Sequence, residues 1–198
     1  MRTVEIEKNS ILNYIGECAF TKTLIRSIDI PSQVQIIDDK AFNKCIFLSK
    51  VEIHKESQLR KIGDKTFKNA VINSSIIIPP HVTRIGKHAF YQCKYLRSVT
   101  IPKDSELKYI GEYAFYNTSI ERIFIPKEVI VIENSTFSKC TYFHHIEFSE
   151  NSKLQVIGDF AFADTYLKEI SKLVSKFPYI RKIQHIRINS NFSLLEIQ

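Results

Sequence analysis

A six-residue phrase recurs seven times along this chain, and no other feature limits its fold so severely. Ile110-Gly111-Glu112-Tyr113-Ala114-Phe115 has counterparts that begin at Ile15, Ile37, Ile62, Ile85, Ile132 and Ile157, each with a Phe five residues on. Those residues are Phe20, Phe42, Phe67, Phe90, Phe115, Phe137 and Phe162, so the steps run 22, 25, 23, 25, 22 and 25. A period of this length predicts a solenoid. Each unit is too small to bury its own apolar face and must stack on its neighbours.

Within a period the apolar pattern is that of a strand. In Leu96-Arg97-Ser98-Val99-Thr100-Ile101-Pro102 the alternation at Val99 and Ile101 predicts a strand with one buried face. Equivalent strands are expected at 25–30, 48–53, 76–78, 120–125, 143–148 and 167–170, and Val4-Glu5-Ile6 matches the same slot. The chain therefore starts at a strand, without the polar N-terminal cap a solenoid normally carries, which suggests truncation. Pro31, Pro79, Pro102 and Pro126 close four strands, since proline cannot donate to a ladder. Two connection lengths then alternate, one through a Val and a longer one through Ser-x-Leu, so the unit is a pair of about 47 residues. All five glycines follow the repeated Ile, with Asp38 and Glu133 in the other two repeats. That slot reads as a turn or short-helix start that favours glycine without requiring it. The following Ala-Phe predicts a short helical or 3-10 turn with its Phe inward.

Ile-Gly-x-x-Ala-Phe, followed by x-x-Cys, Leu and Val-x-Ile-Pro, resembles the BspA-like leucine-rich repeat over roughly residues 3–170. The resemblance implies an α/β repeat fold: a leucine-rich-repeat solenoid with a curved parallel β-sheet of about eight strands, backed by short helical or 3-10 turns. Residues 1–170 form an array of about seven repeats on this reading, and 171–198 an irregular C-terminal cap or tail. In that segment Leu173, Val174 and Phe177 suit one helical turn stopped by Pro178, and Ile186 and Ile188 alternate as in a strand. A cap over the last repeat is the favoured role. Members of the family are mostly cell-surface or secreted proteins of bacteria and protozoan parasites, implicated in adhesion and protein binding. The family has no active site to carry over.

Composition agrees with a soluble, well-packed chain: 44% hydrophobic, 25% charged, mean hydropathy −0.12. No apolar run approaches the roughly 18–20 residues of a membrane span. The first eight residues lack the apolar core of a signal peptide. An intracellular protein, export by another route and a fragment of something longer all stay open. The net charge of +7 invites a nucleic-acid reading, but the cations are dispersed, and a solvated surface explains them. The densest group is Arg181, Lys182, His185 and Arg187.

Residues that could carry chemistry are few. Cys45, Cys93 and Cys140 lie three residues after a repeat Phe in alternate repeats, where the others place Thr23, Ala70, Thr118 and Thr165. Strands two apart are separated by roughly 10 Å, beyond the about 7 Å a disulfide tolerates. Cys-x-x-Cys spacing is missing too. A buried column of small residues is therefore expected, with Cys18 in a different slot and partly exposed. The six histidines fall in different slots, and His144 and His145 should face opposite sides of a strand. No phosphate loop, nucleophile elbow or His-Glu-x-x-His occurs. The expectation is a non-enzyme without cofactor or metal. Sequons at Asn73, Asn117, Asn134 and Asn191 are weak support for export.

The outward columns of the strands carry the functional reading. One runs Glu5, Asp29, Glu52, Ile77, Thr100, Phe124, Glu147, and its neighbour Thr3, Ser27, Lys50, Ser75, Ser98, Arg122, His145, Glu169. Stacked carboxylates at one end repel each other, and Lys50 offsets part of that. Ile77, Thr100, Arg122, Phe124 and His145 form the candidate partner-binding patch, although a plain solvated face fits as well. The favoured function is protein binding through this face, as a surface antigen or adhesin-like module recognising a protein ligand or host extracellular-matrix protein. An intracellular scaffold is the alternative, and polyanion binding by the basic C-terminal segment a third.

Overall fold

The computed structural model describes residues 4–7, 10–167 and the backbone of 182–183. In chain order the first strands are β1 (Tyr14–Ile15), β2 (Ser27–Ile30), β3 (Ile36–Ile37), β4 (Lys50–Ile53), β5 (Lys61–Ile62), β6 (Ile76–Ile77) and β7 (Arg84–Ile85). They are followed by β8 (Val99–Thr100), β9 (Tyr109–Ile110), β10 (Arg122–Ile125), β11 (Val131–Ile132), β12 (His145–Phe148), β13 (Val156–Ile157) and β14 (Lys182–Ile183). All pairings between them are parallel. The result is the stacked solenoid that the period predicts.

The continuous sheet is not where the strand pattern placed it. Eight strands run β1-β3-β5-β7-β9-β11-β13-β14, and each of the first seven ends on the Ile of the repeated phrase. The Val-x-Ile strands form three separate pairs instead, β2-β4, β6-β8 and β10-β12. The ladder between these strands breaks twice, between β4 and β6 and between β8 and β10. Between β4 and β6 the ladder gives way to Asn73 N–H on the Ser49 carbonyl, and between β8 and β10 to Glu121 N–H on the Arg97 carbonyl. Residues 4–6 lie outside any strand, and the expected strand at 167–170 falls largely outside the described residues. So do Thr3, Glu169, the helical turn at 173–177 and the Ile186–Ile188 strand.

The expected helical turns are also replaced, since no helix occurs among the described residues. Each turn divides its amides between two directions. Those of Cys18, Phe20 and Lys22 donate to Asp39, Ala41 and Asn43 of the next repeat, while those of Ala19, Thr21 and Thr23 close the turn on Gly16, Cys18 and Phe20. A helical turn would spend every amide internally. Two left-handed residues per turn, such as Cys18 (φ 58°) and Lys22 (φ 59°), rotate alternate amides outward. None of the fourteen is β-branched, the class that tolerates this region worst.

The core is a column. Phe20, Phe42, Phe67, Phe90, Phe115, Phe137 and Phe162 stack in sequence at 5.1–5.6 Å between ring centroids. Phe143 fills the space beside Phe137 and Phe162. Each fully buried ring stabilises the fold by about 1.5–3 kcal/mol through burial. The cysteine column is core as expected: Cys45, Cys93 and Cys140 are buried and free. Their alternation with Thr has a hydrogen-bonding reason. Thr23 Oγ1 donates to the Phe20 carbonyl of its own turn, at 2.8 Å, and Cys45 Sγ reaches back to the same oxygen at 2.9 Å. Cys93 and Cys140 repeat that backward reach to Phe67 and Phe115, both at 3.0 Å.

Candidate interaction surface

Strand register decides which outward side chains meet. Ile77 pairs with Thr100, Arg122 with His145, and Phe124 with Glu147. Alternation turns Val99, Ile123 and Ile146 into the core and leaves Arg122 and His145 exposed and Phe124 half-buried. A shallow groove opens where the β6-β8 pair abuts β10-β12, and Thr100, Arg122, Phe124, His145 and Glu147 line it. Four of the five candidate residues therefore converge on one concavity. Ile77 does not line it; it sits one strand further along, 38% exposed. Arg122 makes no ion pair among the described residues, so its guanidinium is available to an acceptor.

The other end of the same face is acidic. Asp29 pairs with Glu52, and Glu5, Glu7, Asp29 and Glu52 line a second groove with Lys50. Lys50 Nζ lies 2.6 Å from Glu52 Oε1 and neutralises one carboxylate only. No group of three or more His, Cys, Asp or Glu side chains is placed to hold a metal among the described residues. His144 and His145 are both exposed, with His144 Nδ1 2.9 Å from the Tyr142 carbonyl. No helix among the described residues is long and apolar enough to cross a membrane.

The sequence profile of the BspA type leucine rich repeat region matches residues 1–75 and 60–183, in six copies. The chain belongs to the BspA-type leucine-rich repeat family. Repeats of this family are generally non-enzymatic protein-interaction modules. Among solved structures the chain is similar to a leucine-rich repeat protein of T. pallidum, with 24% identity and TM-score 0.71 over 82% of this chain and 75% of that one. A leucine-rich repeat protein from Bacteroides ovatus is 27% identical with TM-score 0.61, over 78% of this chain and 45% of its own. The pneumococcal vaccine antigen PcpA is 27% identical with TM-score 0.65, over 71% of this chain and 36% of its own. The chain thus spans less than half the length of those last two. No curated protein matches it in sequence.

One surface escaped the reading of strand columns. The slot just before the first buried strand residue carries Leu24, Phe47, Tyr95, Tyr142 and Tyr166, all 45% exposed or more. It is legible in the sequence as the large residue preceding Ile25, Leu48, Leu96, Phe143 and Leu167. Attention to alternation inside the strands passes it over.

Proposed function

We propose that this BspA-type array is a non-enzymatic protein-binding module of surface-antigen or adhesin-like type, recognising a protein ligand through the groove of Thr100, Arg122, Phe124 and His145. The observation that carries the reading is the convergence of an aromatic ring and an unpaired arginine in one concavity on regular strands. Aromatic residues and arginine dominate binding hot spots, and side chains held on strands lose little freedom on binding. Ile77 extends the apolar part of the patch toward the next strand. The similarity to a vaccine antigen supports a surface role. On this reading residues 1–170 are the binding array and 171–198 cover its last repeat, in keeping with the pairing of Lys182–Ile183 to Val156–Ile157.

The test is a panel of purified extracellular-matrix and serum proteins presented to the full chain. Wild type should be retained by a member of the panel. Phe124→Ala and Arg122→Ala should each weaken that binding by at least about 1 kcal/mol. Glu112→Ala, on the turn side where Glu112 pairs with Lys87, should leave it unchanged. Loss with Glu112→Ala and none with Phe124→Ala would move the interface to the other face. Glycans on Asn117 or Asn134 in native material separate export from an intracellular scaffold. Polyanion binding by the basic C-terminal segment, whose side chains lie outside the described residues, would show as a steep salt dependence on heparin.

A further inference from the structure

We propose that the exposed ridge along one edge of the solenoid is a docking track for an acidic, proline-rich segment in the polyproline II conformation. The ridge is built by Leu24, Ile46, Phe47, Tyr95, Tyr142 and Tyr166, between 45% and 62% exposed. Packing does not account for them. In each repeat the next strand residue, Ile25, Leu48, Leu96, Phe143 or Leu167, is the one that enters the core. The chain thus places a large side chain outward at the same slot in five of seven repeats, with Val71 and Ser119 in the other two. Isolated exposed apolar residues are ordinary, but the same slot turned outward in most repeats points to a binding surface.

Spacing selects the occupant. Phe47, Tyr95 and Tyr142 occupy equivalent positions in repeats two apart, and core rings in successive repeats stack at about 5.3 Å. At that spacing the three rings recur at about 10.6 Å. Between them the slot holds half-buried Val71 and Ser119, so the ridge is notched. A polyproline II helix advances about 9 Å per three-residue turn and presents one face per turn. Every third residue can then fall between successive rings, the way proline-rich segments use aromatic surfaces elsewhere. A β-strand presents a face every two residues, roughly 6.7 Å, and falls out of step. An α-helix is about 10–12 Å across and needs an apolar trough, whereas this is a single file of side chains with charges on both sides.

Charge selects the sign of the partner. Lys22, Arg26, Lys44, Lys94 and Arg97 flank the file, are exposed, and make no ion pair among the described residues. Some cations elsewhere, such as Lys40, Lys61 and Lys153, have a carboxylate partner, while Arg60, Lys103, Lys108 and Arg122 are exposed and make no ion pair among the described residues. The carboxylates beside the ridge are Glu121 and Asp164. Uncompensated positive charge on both sides of an aromatic file favours a ligand with acidic residues between its prolines. None of the ridge residues lines the groove at Thr100 and Phe124, and the inference does not depend on that reading.

The experiment is fluorescence anisotropy of the full chain with a labelled Glu-Pro-Pro repeat peptide of about fifteen residues. Saturable binding is expected, at least about tenfold tighter than for Glu-Gly-Gly or Lys-Pro-Pro peptides of the same length. Tyr95→Ser with Tyr142→Ser, and separately Lys94→Glu with Arg97→Glu, should each weaken it at least about tenfold, while Phe124→Ala leaves it unchanged. All these side chains are exposed or half-buried, and an unaltered thermal unfolding midpoint checks each variant's fold. Four results would overturn the proposal: no binding of the Glu-Pro-Pro peptide; equal binding of Glu-Gly-Gly, which would make the ridge an electrostatic surface only; tighter binding of an acidic helical peptide; or a wild-type dimer that the tyrosine variant converts to monomer, which would assign the ridge to a second copy.

Discussion

Gly86 lies so close to the backbone of Gly63 that a β-carbon built on it would fall 2.5 Å from the Gly63 carbonyl carbon and oxygen. At Gly63, Gly86, Gly111 and Gly158 the slot after the repeated Ile holds glycine for lack of space, although Asp38 and Glu133 occupy it in two other repeats. No glycine in the chain has positive φ. Gly111 and Gly158 meet the preceding repeat at 2.7 and 2.4 Å, whereas Gly16, at the start of the array, meets only the Tyr14 ring at 3.4 Å. Gly86→Ala must push two repeats apart and should cost about 1–3 kcal/mol or more. Gly16→Ala should be close to neutral. Urea denaturation of the two variants checks the contrast, and equal losses would contradict it.

Phe90 stacks on Phe67 and Phe115 and is fully buried, while Phe20, among the described residues, stacks on Phe42 alone and is partly buried. Phe90→Ala should therefore cost roughly 3–5 kcal/mol and Phe20→Ala clearly less. Chemical denaturation midpoints decide this. Equal losses would mean that the array does not gain its stability from neighbour stacking.

Thiol chemistry should discriminate sharply among the four cysteines. Burial pushes the Cys93 thiol far up and the Cys140 thiol to about 11, whereas Cys18 is exposed. A disulfide reagent should titrate Cys18 alone in the native protein and all four thiols after denaturation. The melting temperature should not respond to reductant. A fall of roughly ten degrees, the scale of a lost disulfide, would refute the free-thiol assignment.

Asp38 predicts an acid limb in stability. Lys61 Nζ, 2.7 Å from Oδ1, and the Tyr14 hydroxyl, 2.5 Å from Oδ2, hold its carboxyl at about 2. The folded value lies below the ordinary value of about 3.9. Its stabilisation is therefore complete above about pH 4 and is lost as pH falls toward 2. Thermal midpoints measured from pH 5 to pH 2 should fall less steeply in Asp38→Asn than in wild type. Identical slopes would show that the Lys61–Asp38 contact has no part in folding.

Much of this was written in the chain and some was not. The repeat, its inward Phe and Ile residues, the buried cysteine slot and the strand columns follow from periodicity, because a solenoid uses each slot the same way in every turn. The pairing of Arg122 with His145 and of Phe124 with Glu147 follows from aligning the repeats. Which slot carries the unbroken sheet did not follow. The Val-x-Ile strands have the stronger alternation, yet their ladder is interrupted between β4 and β6 and between β8 and β10. The two-residue strands ending on Ile15 through Ile157 stack without interruption, because the turns that follow them are identical in length. Alanine and phenylalanine in those turns suggested a helix. What replaces it is a set of left-handed residues at Cys18, Lys22 and their equivalents, whose amides find partners only when another repeat lies beside them. Local preference could name the residues of each turn. The direction of their hydrogen bonds, and the crowding that demands Gly86, exist only between repeats and so were decided by stacking.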